Sequence, residues 1–221
     1  MRAPDRPPIG EGVSLVAAIV VIFAIIDGAL QVLLVHRSAA PERGRWALPG
    51  GRWDGTATLE QAATAKLVEE TGAHDLYLEQ LFTVSHLDAT QPGVAVAYFA
   101  LVEPARVCLR SSDEWVPAWH RVDALPELAF RNNALIAQAV ARVRAKLDYT
   151  NIAYGLLPDA FTLRELQATY EAVLGTPLDR RNFRKRMLAT GLIAATGEQR
   201  RDGAHRPALL YAFTTREPVF L

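Results

Sequence analysis

Lys66, Glu69 and Glu70 stand at i, i+3 and i+4 of a run that reads as a helix, so their side chains share one face. Two carboxylates and an ammonium group in that arrangement form a charge cluster in which Lys66 can pair with either glutamate. On open surface such a pair is a solvated contact worth about 0.2–0.5 kcal/mol. In a pocket, the ammonium group occupies the carboxylate site as a tethered cation. Pro49-Gly50-Gly51 upstream supplies a turn at the right distance to close such a pocket. Glu69 and Glu70 also lie near the C-terminal end of the helix, where the macrodipole disfavours acids, so helix stability alone does not select them.

The stretch from Gly50 to Gly72, GGRWDGTATLEQAATAKLVEETG, resembles the Nudix box, Gly-x5-Glu-x7-Arg-Glu-U-x-Glu-Glu-x-Gly-U with U a bulky aliphatic residue. Counted from Gly51, the first Glu falls on Ala57 and the Arg-Glu pair on Ala65-Lys66. Leu67, Glu69, Glu70 and Gly72 keep their places, and the final aliphatic position is Ala73. In that family three carboxylates hold hard divalent cations that neutralise a pyrophosphate and activate water. The resemblance implies a nucleotide-shaped pocket that has lost hydrolysis, with no catalytic residue and no required cofactor. Mg²⁺ is implied only if Glu69 and Glu70 still bind metal. The expected pocket uses Trp46 or a neighbouring aromatic for base stacking, with Trp46 as a core residue the equal alternative. Gly50, Gly51 and Arg52 lie near the pyrophosphate, above the Lys66, Glu69 and Glu70 cluster.

A second cluster is cationic. The chain as a whole is formally neutral, but Asp179 to Arg206 holds eight Arg or Lys residues and three acids, net +5, leaving −5 elsewhere. Such asymmetry suggests a basic module joined to an acidic one. Thr162-x-x-Glu165 is a capping box that opens a helix to about Leu174, with Leu163, Leu166, Tyr170 and Val173 as its apolar stripe and Gly175 as its stop. Asp179 caps a second helix, Arg180 to Thr190, closed by Gly191. Phe183, Met187 and Leu188 are expected to face inward there, opposite Arg180, Arg181, Arg184 and Lys185. Leu192 to Ala195 and Ala208 to Phe213 then form a hairpin around a polar tip. Helix, turn, basic helix and basic-tipped hairpin is the layout of a winged helix-turn-helix. A recognition helix needs a dry face to hold it and cations for phosphate, and Asn182 and the arginines at its start are side chains that read base edges. Arg200, Arg201, His205 and Arg206 on the tip are placed to reach phosphate or a minor groove. The competing reading is a solvated basic helix on a protein-interaction module.

The elements that must position these residues follow from pattern. Val13 to Ile26 is an apolar run of fourteen residues, short of the ~20 that span a bilayer, and no A-x-A-like cleavage site follows it. Asp27-Gly28 between it and the apolar run Ala29 to His36 signals a hairpin of two buried strands. Leu59, Ala62, Ala63 and Leu67 recur at helical spacing. Leu76 to Val84 and Val94 to Val102 read as strands, Val107 to Leu109 as a short one, and Trp115 to Trp119 leads into a proline-marked turn. Arg131 to Leu147 is an amphipathic helix with Leu135, Ile136, Ala139, Val140 and Val143 as its stripe. The expected organisation is a flexible tail at 1–12, a Nudix-like α/β/α sandwich at 13–147, a connector at 148–159 anchored by Tyr149, Ile152, Tyr154, Leu156 and Leu157, and a winged helix-turn-helix at 160–221. Cys108 is the only cysteine, which excludes an intrachain disulfide and fits a reducing compartment; it reads as a small buried hydrophobe. No zinc-ligand spacing is present among the five histidines.

Taken together, LLPDAFTLRELQATYEAVLG (Leu156 to Gly175), LDRRNFRKRMLATGLI (Leu178 to Ile193) and HRPALLYAF (His205 to Phe213) resemble the Nudix-related transcriptional regulators of NAD metabolism, the NrtR type. That resemblance implies a cytoplasmic bacterial homodimer, nucleoid-associated when DNA-bound and without a membrane segment. Its winged helices hold a palindromic operator before NAD biosynthesis or salvage genes, and ADP-ribose or a related nucleotide effector releases the DNA. Many relatives carry Arg-Asp-Pro before the Val94 strand, where this chain has Asp88-Ala-Thr-Gln-Pro-Gly. The rival functions are an active Nudix hydrolase of ADP-ribose-type nucleotides and a regulator answering a different nucleotide or sugar.

Overall fold

Asp27 and Gly28 both adopt positive φ, 50° and 72°, the mirror-image turn whose twist matches two antiparallel strands. They join β1 (Leu15–Ile26) to β2 (Ala29–Arg37), with Ile26 opposite Ala29 and Phe23 opposite Val32. The computed structural model describes residues 15–74, 76–85, 93–111, 115–201 and 207–220. The expected tail at 1–12, the loop beginning at Asp88, and the tip residues His205 and Arg206 lie outside the described residues. Among the described residues no helix is long and apolar enough to cross a membrane.

Seven strands form the main sheet. β3 (Trp46–Ala47) pairs with the end of β2, and β4 (Gly50–Arg52) with the start of β1. The box helix α1 (Leu59–Thr71) follows, opened by a Thr58–Gln61 capping box and closed by Gly72 at φ 65°. β5 (Tyr77–Ser85) and β6 (Gly93–Leu101) are antiparallel to each other, and β6 runs parallel to β1 from Leu15↔Gly93 to Phe23↔Leu101. β7 (Trp115–Arg121) pairs with β2. Trp115 to Trp119 belongs to this strand and leads, as expected, into a turn at 122–123; Pro117 is tolerated because β7 lies at the sheet edge.

Alternation along β1 makes the sandwich. Ala18, Val20, Ile22 and Ala24 pack with Ala63 and Leu67 of α1 on one face. Val21 and Phe23 pack on the other with Leu135, Ile136, Ala139, Val140 and Val143 of α2 (Asn132–Lys146). The short strand expected at Val107 to Leu109 is coil. Val107 and Leu109 do turn inward against the α1 layer, so Cys108 points outward and is exposed, contrary to its expected burial. Its N–H is satisfied by the Thr71 carbonyl at 2.8 Å.

Residues 152–156 form a buried 3-10 helix, so Thr150 to Leu157 of the segment read as a connector belong to the core, while Asp148, Tyr149 and Asp159 are exposed. Gly155 lies against Leu101, where an added Cβ would stand 2.8 Å from the Leu101 Cβ. Beyond it, β8 (Phe161–Thr162), β10 (Ala208–Phe213) and β9 (Ile193–Arg200) form a small antiparallel sheet. α3 (Leu163–Leu174) carries the expected Thr162–Glu165 capping box, and α4 (Arg180–Ala189) the expected Asp179 cap. Phe161, Leu166, Tyr170, Phe183, Met187 and Phe213 share one continuous core with Phe23 and Leu135. Leu188 is 43% exposed, not inward. Phe183 and Met187, four residues apart, fill the inward stripe, and Leu188 falls a hundred degrees round the helix.

After β10 the chain returns over residues 148–159. The Asn151 amide donates to the Thr215 and Glu217 carbonyls at 3.2 and 2.8 Å and accepts from Val219 N–H at 2.8 Å. Arg216 donates to the Tyr154 and Leu157 carbonyls and pairs with Asp159 at 2.8 Å, a carboxylate also held by Arg106.

Candidate functional site

Backbone restraints fix the floor of a cleft between β4, α1 and β7. The Leu48 N–H donates to the buried Asn132 side chain at 2.8 Å, and Val20 N–H donates to the Pro49 carbonyl at 2.9 Å. Gly50 then lies so close to β1 that a Cβ would meet the Ala18 carbonyl at 2.8 Å, whereas Gly51 faces open space. The cleft has a volume of about 580 Å³, within the usual range for a small-molecule site. Gly50, Gly51, Arg52, Lys66, Glu69 and Glu70 all line it, so six of the seven pocket residues expected from sequence are brought together.

Trp46 is the exception. It is wedged edge-on between His36 and His120, at ring-centroid separations of 5.0 and 4.4 Å, and does not line the cleft. Burial lowers the His120 pKa, and its Nε2 is a buried nitrogen with no hydrogen-bond partner. The aromatic lining comes from Trp53 and Trp115. Sequence reasoning missed both, together with Arg37, another lining residue. Trp53 sits inside the box stretch, where a tryptophan two residues past Gly51 was an available signal. Trp115 is brought in only by the pairing of β7 with β2, which no local pattern reveals.

The Lys66 ammonium bridges both carboxylates, 3.1 Å from Glu69 Oε2 and 2.9 Å from Glu70 Oε1. It also lies 4.0 Å from the centre of the Trp115 ring, a cation–π contact that strengthens when desolvated. Glu70 is fully buried while Glu69 is half exposed. Desolvation pushes the Glu70 carboxyl above its ordinary pKa, against the opposing pull of Lys66 and a Trp115 hydrogen bond. Neither carboxylate oxygen of Glu70 is met in full hydrogen-bond alignment.

This donor set does not fit a divalent cation. A metal ion held by Glu69 and Glu70 together would need the position that Lys66 Nζ holds, and Ala57 and Ala65 line the cleft where further polar side chains would stand. Among the described residues no three His, Cys, Asp or Glu side chains gather into a metal-binding group. What the arrangement offers is fixed cations, backbone and indole surfaces around a cavity.

In the winged-helix part, α4 exposes Arg180, Arg181, Asn182, Arg184 and Lys185. Arg186 is exposed as well and reaches Asp148 at 3.9 Å. Arg201 is exposed, but Arg200 is half buried and pairs with Glu165 of the α3 capping box. Arg200 therefore braces the wing against α3 instead of projecting from the tip.

Residues 16–142 match the NUDIX domain family and residues 153–213 the NrtR DNA-binding winged helix domain. The chain is 37% identical over 207 residues to the ADPR responsive transcriptional repressor NtrR of Acinetobacter baylyi, covering 90% of this chain and 82% of that protein. The crystal structure of Shewanella oneidensis NrtR complexed with a 27mer DNA superposes with a TM-score of 0.80 at 36% identity, over 90% of this chain and 93% of that one. The cocrystal structure of the NUDIX domain of Shewanella oneidensis NrtR with ADP ribose superposes with a TM-score of 0.54 at 35% identity, over 63% of this chain and 94% of that one.

Proposed function

This chain belongs to the NrtR family, in which a Nudix domain precedes an NrtR-type DNA-binding winged helix, and we propose that it is an ADP-ribose-responsive repressor of NAD biosynthesis or salvage genes. One observation carries the proposal: a nucleotide-sized cleft and an exposed basic helix are built on the same core. Leu48 lines the cleft and packs in one cluster with Phe183 and Met187 of α4. Ligand in the cleft is thereby given a packed route to the recognition helix through the 152–156 segment. A ligand shifts such an equilibrium only through its differential affinity for the two states, and a shared core lets one movement be felt at both sites.

The relatives support each half. The Acinetobacter baylyi protein is named for its response to ADPR, and the Shewanella oneidensis protein was crystallised with DNA and, through its NUDIX domain, with ADP ribose. We place the effector beside Gly50, Gly51, Arg52 and Lys66, with Trp53 and Trp115 as the stacking surfaces in place of Trp46. We place phosphate and base contacts on Arg180, Arg181, Asn182, Arg184, Lys185 and Arg201. A homodimer would present two α4 helices about 34 Å apart, or a multiple, to a palindromic operator. Hydrolysis needs a nucleophilic water activated by metal, and a Lys66-filled carboxylate pair does not supply it.

The test is a gel shift of a palindromic promoter fragment from an NAD-metabolism operon, titrated with ADP-ribose. A retarded band that dissolves as ADP-ribose rises is expected. DNA binding indifferent to ADP-ribose would overturn the effector assignment, and release of AMP and ribose phosphate on incubation with Mg²⁺ or Mn²⁺ would overturn the loss of hydrolysis.

A further inference from the structure

We infer that the effector's diphosphate is received as a bare anion, with Lys66 as the cation that meets it and no divalent metal in the complex. The inference rests on the effector reading above and concerns how that same cleft recognises its ligand.

Three observations converge on it. Lys66 Nζ already bridges Glu69 and Glu70 at 3.1 and 2.9 Å, so any ion shared by those carboxylates has to displace it. The ammonium group is also held from the side by the Trp115 ring at 4.0 Å, and 15% exposure keeps it part of the cleft wall. Finally, the cleft contributes its own cations. Arg37 and Arg52 line it with Lys66, and together they balance Asp54, Glu69 and Glu70 in number.

Glu69 is the partner Lys66 can release at least cost, because it is half exposed and water replaces the lost contact. Glu70 is fully buried and keeps its counter-ion. A diphosphate oxygen arriving over Gly51 thus exchanges for Glu69 while Lys66 stays anchored on Glu70 and Trp115. The ammonium–phosphate hydrogen bond is charge-assisted like the ammonium–carboxylate bond it replaces, so the exchange forfeits no strong contact. Discrimination follows: a ligand whose phosphates are already chelated by Mg²⁺ presents a cation to Lys66 and is disfavoured.

The experiment is calorimetric titration of the full chain with ADP-ribose in EDTA and in excess Mg²⁺. It is applied to wild type, Lys66→Arg, Lys66→Met and the double variant Lys66→Met/Glu70→Gln. The double variant removes the buried carboxylate that Lys66→Met alone would strand. Wild type is expected to bind with full affinity in EDTA and slightly more weakly in excess Mg²⁺. Both Met variants should bind roughly tenfold or more weakly, with Lys66→Arg retaining most of the affinity. Affinity that collapses in EDTA would overturn the inference while leaving the effector reading intact, as would a folded double variant that binds like wild type. No ADP-ribose binding under either condition would overturn both.

Discussion

In the cleft, Lys66 is 15% exposed and within 3.1 Å of two carboxylates, whereas Arg180, Arg181, Arg184, Lys185 and Arg186 of α4 all stand in solvent with no acid among the ten helical residues. The cleft's charged lining cancels in number; the helix's does not. Paired charge such as Lys66 on buried Glu70 recognises by geometry, since a ligand must replace a partner already in place. Unbalanced, hydrated charge recognises a polyanion through counterion release and is strongly salt-dependent. The two ends of this chain therefore use the same residue types for opposite kinds of selectivity.

The strongest way to break this comparison is to remove charge from α4. Replacing Arg181 and Arg184 with Ala should weaken operator binding by about 10²-fold or more and flatten its salt dependence by about two units of slope per protomer. Thermal stabilisation by ADP-ribose should be unchanged. Restoring the family's carboxylates in the cleft, as Ala57→Glu, Ala65→Arg and Lys66→Glu together, should tighten Mn²⁺ binding by roughly tenfold or more, read by calorimetry, because hard cations gain with each oxygen ligand. Unaltered Mn²⁺ affinity would mean that removing Lys66 does not reopen the site.

Smaller effects probe whether the two regions are one cooperative unit. Gly155→Val forces a Cβ to within 2.8 Å of the Leu101 side chain and 3.1 Å of its carbonyl oxygen, an overpacking that costs about 1–3 kcal/mol. A shared core predicts one thermal transition that moves down as a whole, and two separated transitions would contradict it. Smallest is the pH effect at the Trp46 contact. Burial lowers the His120 pKa, so the stability tied to its neutral form is complete above the ordinary histidine pKa of about 6.5 and is lost as pH falls through the lowered folded value. His120→Phe should remove that component, leaving a shallower loss of stability on the acid side in denaturant titrations.

Much of this was legible from residue order because it is local. Asp27-Gly28 fixes a turn, Thr162 and Glu165 a helix start, and Gly72 a helix end. The i, i+3, i+4 spacing placed Lys66 between its two glutamates before any fold was known. What failed to show depends on distant partners. Trp115 reaches the cleft through a strand pairing, and Arg200 turns from the tip to Glu165, thirty-five positions away. Residues 152–156 look like a linker because they are short and soon followed by Pro158, yet their apolar side chains find neighbours in both halves. Between base stacking and a core role for Trp46 the order of residues does not decide; the two histidines contributed by β2 and β7 enclose it and give it the core role.

The return of residues 214–220 over 148–159 sets a rule for anyone wishing to transplant this reader of DNA onto another sensor. The junction usually chosen for a chimera, the stretch before α3, is here clasped by Asn151, Arg216 and Asp159 to the far end of the chain. A graft that takes only residues 160–213 discards the clasp and strips Phe213 of its contact with the Tyr154 ring. A portable module must start upstream of Asn151 and end after Val219, and it must bring a host surface shaped like Leu101 for Gly155 to rest upon.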